Sequence, residues 1–438
     1  MERSGQPVSG PTWPAVKFVV FSLIGIIAFF VPFTIGETRS IPIDLISRSL
    51  LGALPTGIAI YALLLMLIGA LLPFFNDSWK ESRFEAVYTL IKIVGFIAGV
   101  LIMFNTGPEW LLEEHIGKFL FFELVLSISL IVPISAIFLQ FLTGYGLMEF
   151  LGVLFQRIMR PIWKVPGRSA IHAITSRFAS LIVIYLMVSN DYKHNKLSQR
   201  EAVIIATGFI AVEIPFIIIM ARTLDIMEYF PMFFLVAMIT TYLVTAILVR
   251  FWPLSRVPDT YHDPSQAMPE DTVESQIMRG AYTQAVDVSS RATSLGTGIL
   301  DQLKGAFLMA TSVLPAILAI GIACMLIAER TPIFDYLAYI FYPITLLLQA
   351  PEPMLTAKAV SLGITEILLP ALIVVEATLA TKFIVGVVSI SGILFFSTSI
   401  PCVLSSSIPL SVGKMVLIWF LRTLISLVIA IPITLLLF

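Results

Sequence analysis

Long uncharged stretches alternate with short polar ones along this chain. Uncharged runs cover Phe18–Gly36 and Ser49–Asn76. A third begins near Ala86, holds Lys92 and ends at Pro108; a fourth, Phe119–Met148, has one charge at Glu123. Ala202–Ala221 is apolar apart from Glu213, and Tyr229–Val249 and Gly305–Ala328 are clean. Phe383–Gly413 is long, uncharged and rich in Ser and Pro, and Met415–Phe438 carries only Arg422. Runs of about 20 apolar residues predict helices that cross a bilayer.

Two stretches break this pattern. Arg157–Asn190 and Glu352–Lys382 are moderately apolar, hold Pro, Ser and Thr, and include isolated charges. Interrupted segments of this kind sit at membrane depth only where protein or a cavity surrounds them. They are read as re-entrant helical hairpins, the alternative being amphipathic helices in the interface. The one long polar stretch, Trp252–Lys304, reads as a linker between two halves.

Composition settles the class. Charged residues are 13% of the 438, against roughly 25% in soluble domains, and apolar residues are 58%. The chain is an all-α, polytopic integral membrane protein, whose first partner is the lipid bilayer. A net charge of −1 offers no basic face, so no nucleic-acid partner is expected. Cys324 and Cys402 lie in apolar runs without a Cys-x-x-Cys or His cluster, so no metal centre and no cofactor are expected. The polar N-terminus lacks a small-residue cleavage signal, so the first run reads as a retained helix. No phosphate-binding Walker loop, GxSxG, HExxH or Gly-rich dinucleotide loop is present, and the chain reads as no enzyme.

Positive charge marks the cytoplasmic side. Arg157, Arg160, Lys164 and Arg168 follow the fourth span, whereas Glu109–His115 before it is acidic. This places the N-terminus and the central linker in the cytoplasm. The halves match at a shift of 186: Phe155 falls on Phe341, Phe209 on Phe395, and Ile214-Pro215 on Ile400-Pro401. In this topology the copies run in opposite directions, an inverted repeat of the kind secondary transporters use. The expected units are 1–118, a three-helix scaffold or oligomer contact; 119–251, the first repeat; 252–304, the linker; and 305–438, the second repeat.

Glu213, in GFIAVEIPF, stands alone in an apolar span before Pro215, which interrupts the helix and frees carbonyls for a cation or a solute hydroxyl. The second half breaks at Ser397–Ser411 with Pro401 and Pro409, where Ser399, Ser405 and Ser406 could hydrogen-bond a ligand or help hold Na+. The hairpin tips add Thr175 and Ser176, then Thr356, Ser361, Thr365 and Glu366. His172 reads as structural, Arg422 and Lys358 as cations that meet or snorkel past acidic partners, and Arg177 as either.

Two hairpin-plus-broken-helix units with Glu213-Ile214-Pro215 in the first break resemble the nucleoside-recognition Gate proteins. These include the concentrative nucleoside transporters and the membrane part of FeoB, and the layout is most similar to the YjiH-type members. The resemblance covers roughly residues 119–438 and makes the two units inverted Gate repeats. In the nucleoside transporters the motif reads G-Q-[TS]-E-[AS]-P, and its Glu contacts ribose hydroxyls. Glu213 and Pro215 carry over; Ala211 and Val212 stand where Gln and a small hydroxyl residue stand there. The resemblance implies a bacterial cytoplasmic (inner) membrane protein. It also implies a secondary transporter that moves a small polar solute by alternating access, coupled to Na+ or H+. The alternative is a non-transporting Gate subunit or receptor that acts with a partner membrane protein; a homo-oligomer follows by analogy.

Overall fold

The computed structural model describes residues 13–35, 38–80, 83–177, 181–263, 265, 277–396 and 398–438. The chain opens with α1 (Trp13–Phe30). The end of the first apolar run is not helical: Phe33–Ile35 (β1) and Thr38–Ser40 (β2) pair antiparallel, Phe33 opposite Ser40. The second run begins inside α2 (Pro42–Ala53) and continues as α3 (Pro55–Phe75). Pro55 divides the two, because a proline has no N–H to continue a helix yet suits its first turn. Then come α4 (Arg83–Met103), α5 (Glu109–Leu112) and a wide π-helical stretch, Glu114–Val125, that passes directly into α6 (Leu126–Thr143).

The next six helices are α7 (Leu147–Trp163), α8 (Ser169–Thr175), α9 (Leu181–Lys193), α10 (Gln199–Gly208), α11 (Ile214–Thr223) and α12 (Phe230–Leu248). The polar stretch is not featureless. It holds α13 (Ile277–Arg291), which packs on α7 and α1, with Ser289 Oγ donating to the Pro14 carbonyl at 2.9 Å. Gly146 has φ +94° and meets this helix; a Cβ there would lie 2.3 Å from the Ala285 carbonyl oxygen.

The 36-residue helix α14 (Leu295–Arg330) starts before the apolar run at Gly305, because the Ser294 hydroxyl caps it by accepting from the Thr297 N–H. The chain ends with α15 (Ile333–Ala338), α16 (Tyr342–Leu347), α17 (Pro353–Ser361), α18 (Leu369–Ile373), α19 (Leu379–Gly392), α20 (Ser399–Ser405) and α21 (Val412–Leu437). Shifting α8, α10, α11 and α12 by 186 residues brings them onto α17, α19, α20 and α21 within a few residues at most ends.

Among the described residues, seven helices are long and apolar enough to cross a membrane: α1, α3, α4, the continuous Glu109–Thr143, Met227–Leu248, α14 and α21. Leu23, Leu64 and Leu90 are more than half exposed on α1, α3 and α4, as lipid-facing side chains are. The two odd stretches form hairpins: α8 packs against α9, and α17 against α18. Ala170, Ala173, Ala357 and Val360 on them are buried, so both hairpins lie within the protein rather than on its surface.

Helix α14 is the axis of the N-terminal part and packs on α3, α4 and α6. Its Pro315 has no N–H for the Thr311 carbonyl. A Cβ at Gly69 would sit 1.7 Å from that carbonyl oxygen, and one at Gly95 would sit 1.9 Å from the Pro315 oxygen. Small residues let helix backbones approach closely in lipid, where no hydrophobic force draws helices together. Gly69→Ala or Gly95→Ala is therefore expected to cut the yield of monodisperse protein sharply, an overpacking cost of at least about 1–3 kcal/mol. Gly52→Ala, where nothing lies within 4 Å of the added Cβ, leaves it unchanged. Fluorescence-detected size exclusion of the three variants checks this.

Candidate functional site

The first hairpin tip is bound to the break in the following helix by main-chain and side-chain bonds. The Ile214 N–H donates to the Arg177 carbonyl at 2.9 Å. The Ser176 hydroxyl lies 2.8 Å from the Ala173 carbonyl and 2.9 Å from the Phe209 carbonyl, which the break leaves without a helical partner. The second half repeats the arrangement: the Phe396 N–H in the break donates to the Ile364 carbonyl at the tip, at 2.7 Å.

Glu213 is the N-cap of α11, in extended backbone (φ −66°, ψ 153°), and Pro215 falls in the first turn. Its carboxylate accepts from the Leu181 N–H at the start of α9. A carboxylate is favoured there, because the first amides of a helix have no partners of their own. Glu213 thus joins the break to the hairpin's second arm. Pro215 starts a helix rather than freeing carbonyls after it. The Thr245 hydroxyl, with one proton, lies 2.9 Å from the Gly208 carbonyl and 2.8 Å from the Thr241 carbonyl, so the oxygens expected to stand open at 208 and 209 each have a hydroxyl within bonding distance.

Three of the expected hydroxyl ligands are occupied locally. Ser361 Oγ donates to the Lys358 carbonyl, Thr365 Oγ1 to Leu362 and Ser406 Oγ to Val403, all at 2.7–2.8 Å. Back-bonding of this kind is the ordinary behaviour of Ser and Thr in helices. Thr175 is half-buried, Thr356 is fully buried with its hydroxyl unpartnered among the described residues, and Glu366 lies in Coulombic reach of Tyr88 on α4. Pro409 lies between α20 and α21. Ser397 and the side chains of Ser405 and Pro401 lie outside the described residues.

Ser399 is different. It is fully buried, accepts from the Phe395 N–H at 2.7 Å, and meets the hydroxyl of Tyr185 from α9. The Tyr185 hydroxyl donates to the Ala206 carbonyl at 3.1 Å, so one side chain touches both breaks. At the start of the second break, Ile393 is buried with φ +62°, a strained conformation for a β-branched residue. A water-sized cavity of about 10 Å³ lies between the second hairpin tip (Val360, Gly363) and Ser389, Gly392, Trp419 and Thr423.

The sequence reading missed the centre of this site. Arg422 meets no acid among the described residues and does not snorkel. It is wholly buried, donating through Nε to the Ser391 carbonyl at 2.9 Å and through Nη1 to Thr245 Oγ1 at 3.0 Å. Thr245 in turn lies against Gly208, so Arg422 and Thr245 connect the end of α19 to the end of α10. Arg177, 4% exposed, places its guanidinium 5.4 Å from the Tyr242 ring, in a cluster with Trp163 and Phe209. The sequence signal was present, since an arginine in a closing apolar run needs a buried function. Lys358 does meet an acid, Asp335, at 2.8 Å, and His172 pairs with Asp191 at 3.0 Å, pinning α8 to α9 as a structural contact.

Thr245→Val keeps the shape and removes the hydroxyl. It leaves the Gly208 carbonyl and one Arg422 nitrogen without a partner, and should lower stability in detergent by about 1–3 kcal/mol. A thermal-unfolding comparison with Thr240→Val, whose buried hydroxyl has no partner among the described residues, checks it: the second change should be neutral or stabilising.

Residues 125–227 match the Gate family, described as nucleoside recognition. An uncharacterized protein of Alkalihalophilus pseudofirmus is 27% identical over 428 residues, covering 94% of this chain and 92% of the relative. Among solved structures, a doubly substituted CNTnw in an outward-facing state aligns over 97% of both chains at 13% identity and a TM-score of 0.49. CNTnw in an inward-facing substrate-bound state aligns over 89% of this chain and 96% of its own at 14% identity and a TM-score of 0.42. The Gate resemblance carried by Glu213-Ile214-Pro215 is therefore borne out over residues 125–227, the segment that holds the first hairpin, the first break and Glu213.

Proposed function

We propose that this chain is a secondary transporter that moves a small polar solute across a bacterial cytoplasmic membrane by alternating access, driven by Na+ or H+. The observation that carries the reading is the meeting of two helix breaks at one buried polar cluster, Tyr185, Ser399, Thr245 and Arg422. Non-helical backbone inside a membrane protein is tolerated where it lines a solute path, and paired broken helices are the usual site of substrate and coupling ion. The hairpins are re-entrant in this reading, and the two units, 119–251 and 305–438, are inverted Gate repeats. In this reading the N-terminus and the 252–304 linker lie in the cytoplasm, which the Lys and Arg of residues 157–168 support. The match to a family described as nucleoside recognition supports a polar, hydroxyl-bearing solute.

Glu213 is the first residue to alter. As the cap of α9 it is positioned at the tip–break junction, where solute hydroxyls or a coupling cation would meet it. Glu213→Gln keeps an acceptor for the Leu181 N–H and removes the charge. It should abolish gradient-driven uptake into proteoliposomes, by at least about 100-fold, while size-exclusion profile and melting temperature stay within error. Wild-type uptake by the variant would sink the assignment. A wild-type protein that is inert alone and co-purifies with a stoichiometric membrane partner would favour a non-transporting subunit.

A further inference from the structure

We propose that Arg177, seconded by Arg422, forms an anion-binding subsite beside the two breaks, so that the solute carries a carboxylate or phosphate group; this rests on the transporter reading above. Arg177 is 4% exposed, and its Nε, Nη1 and Nη2 all lack a hydrogen-bond partner among the described residues. Its neighbours are the face of Tyr242 and the charge of Arg422, which repels it. Arg422 is wholly buried and donates only to neutral oxygens, those of Ser391, Thr245 and Thr241. Both guanidiniums therefore converge on the Thr241–Thr245 turn of α12, and no ion pair joins either to an acid among the described residues.

Two like charges buried together without an acid are costly. A guanidinium cannot shed the cost by losing its proton, as a lysine can. Glu213 does not relieve it: its carboxylate is held by the Leu181 N–H and forms no ion pair with either guanidinium among the described residues. What the cluster lacks is an oxyanion, and the planar fork of Arg177 fits two oxygens of one carboxylate or phosphate. A neutral nucleoside could offer Arg177 hydroxyl or carbonyl acceptors, but no negative charge to offset the two guanidiniums. The aromatic faces of Trp163, Phe209 and Tyr242 would border the apolar part of such a solute.

The test is thermal unfolding of the purified full chain in low-chloride detergent buffer. The probes are uridine, uridine monophosphate, lactate, succinate, inorganic phosphate and chloride. At least one organic anion is expected to raise the melting temperature where uridine does not. Arg177→Lys, which keeps the charge and loses the fork, should need at least about 10-fold more of it. Arg177→Met should lose the response and, without ligand, melt at or above the wild-type temperature, because an unpaired buried charge has gone. A shift from uridine with none from the anions overturns the subsite and leaves the transporter standing. A shift from chloride or phosphate alone overturns an organic solute, and an undiminished response in Arg177→Met overturns the role of Arg177. Binding of an organic anion without flux into liposomes keeps the subsite and overturns transport; no response to any probe overturns both.

Discussion

Every backbone group released by a helix break inside a membrane must find its partner in the protein, because hydrocarbon supplies none. This chain breaks two helices, after Gly208 and after Gly392, and much of its core follows from that constraint. The Gly208 carbonyl is met by Thr245, the Phe209 carbonyl by Ser176, the Ala206 carbonyl by Tyr185 and the Ser391 carbonyl by Arg422. Four side chains, from the C-cap of α8 and from α9, α12 and α21, thus serve the open ends of α10 and α19. Close approach is built in: a Cβ on Gly208 would lie 2.3 Å from Thr245 Cγ2. The helix has to end in a glycine for the hydroxyl to reach its carbonyl.

The hairpins extend the same logic. A tip buried in protein carries its own unpaired amides and carbonyls, and each break offers the complementary groups. The Ile214–Arg177 and Phe396–Ile364 bonds satisfy both sides at once. Glu213 adds a charge-assisted contact to one of these junctions, whereas the second half has Ser399 bonded to its own break and a strained Ile393. The halves share element order but not chemistry. An acid from the first break reaches another element, whereas the second break uses Ser399 within its own turn and is met from outside by Tyr185 and Arg422.

Much of this was legible in the sequence. The apolar runs gave the spans, the odd stretches gave the hairpins, and Glu213-Ile214-Pro215 marked the first break. Element ends were less legible, because capping decides them: Ser294 starts α14 well before its apolar run, and Pro55 cuts an apolar run in two. The bonding partners of the hydroxyl candidates were illegible for a related reason. Spacing places Ser361, Thr365 and Ser406 at tips and breaks, but a hydroxyl within reach of a carbonyl three residues back bonds to it first. Arg422 was misjudged because a lone arginine near a chain end usually snorkels; its depth depends on how α21 packs on α12 and α19, which no local pattern encodes.

The kind of bonding at the centre bears on how the protein could move. An element held by buried ion pairs switches only by separating charges in a low dielectric, which is expensive. Here the contacts between the two breaks are hydroxyls, carbonyls and a guanidinium with neutral acceptors, each worth about 1–3 kcal/mol or less. Hydroxyls rotate and exchange partners: Thr245 already lies within bonding distance of both Gly208 and Thr241, with a single proton to give. Such a junction can hold one arrangement and pass to another for a few kcal/mol, the range in which a bound solute shifts a conformational equilibrium. An anion joining Arg177 would supply the strong interaction that the resting junction lacks, so that binding, rather than the fold alone, determines which arrangement wins.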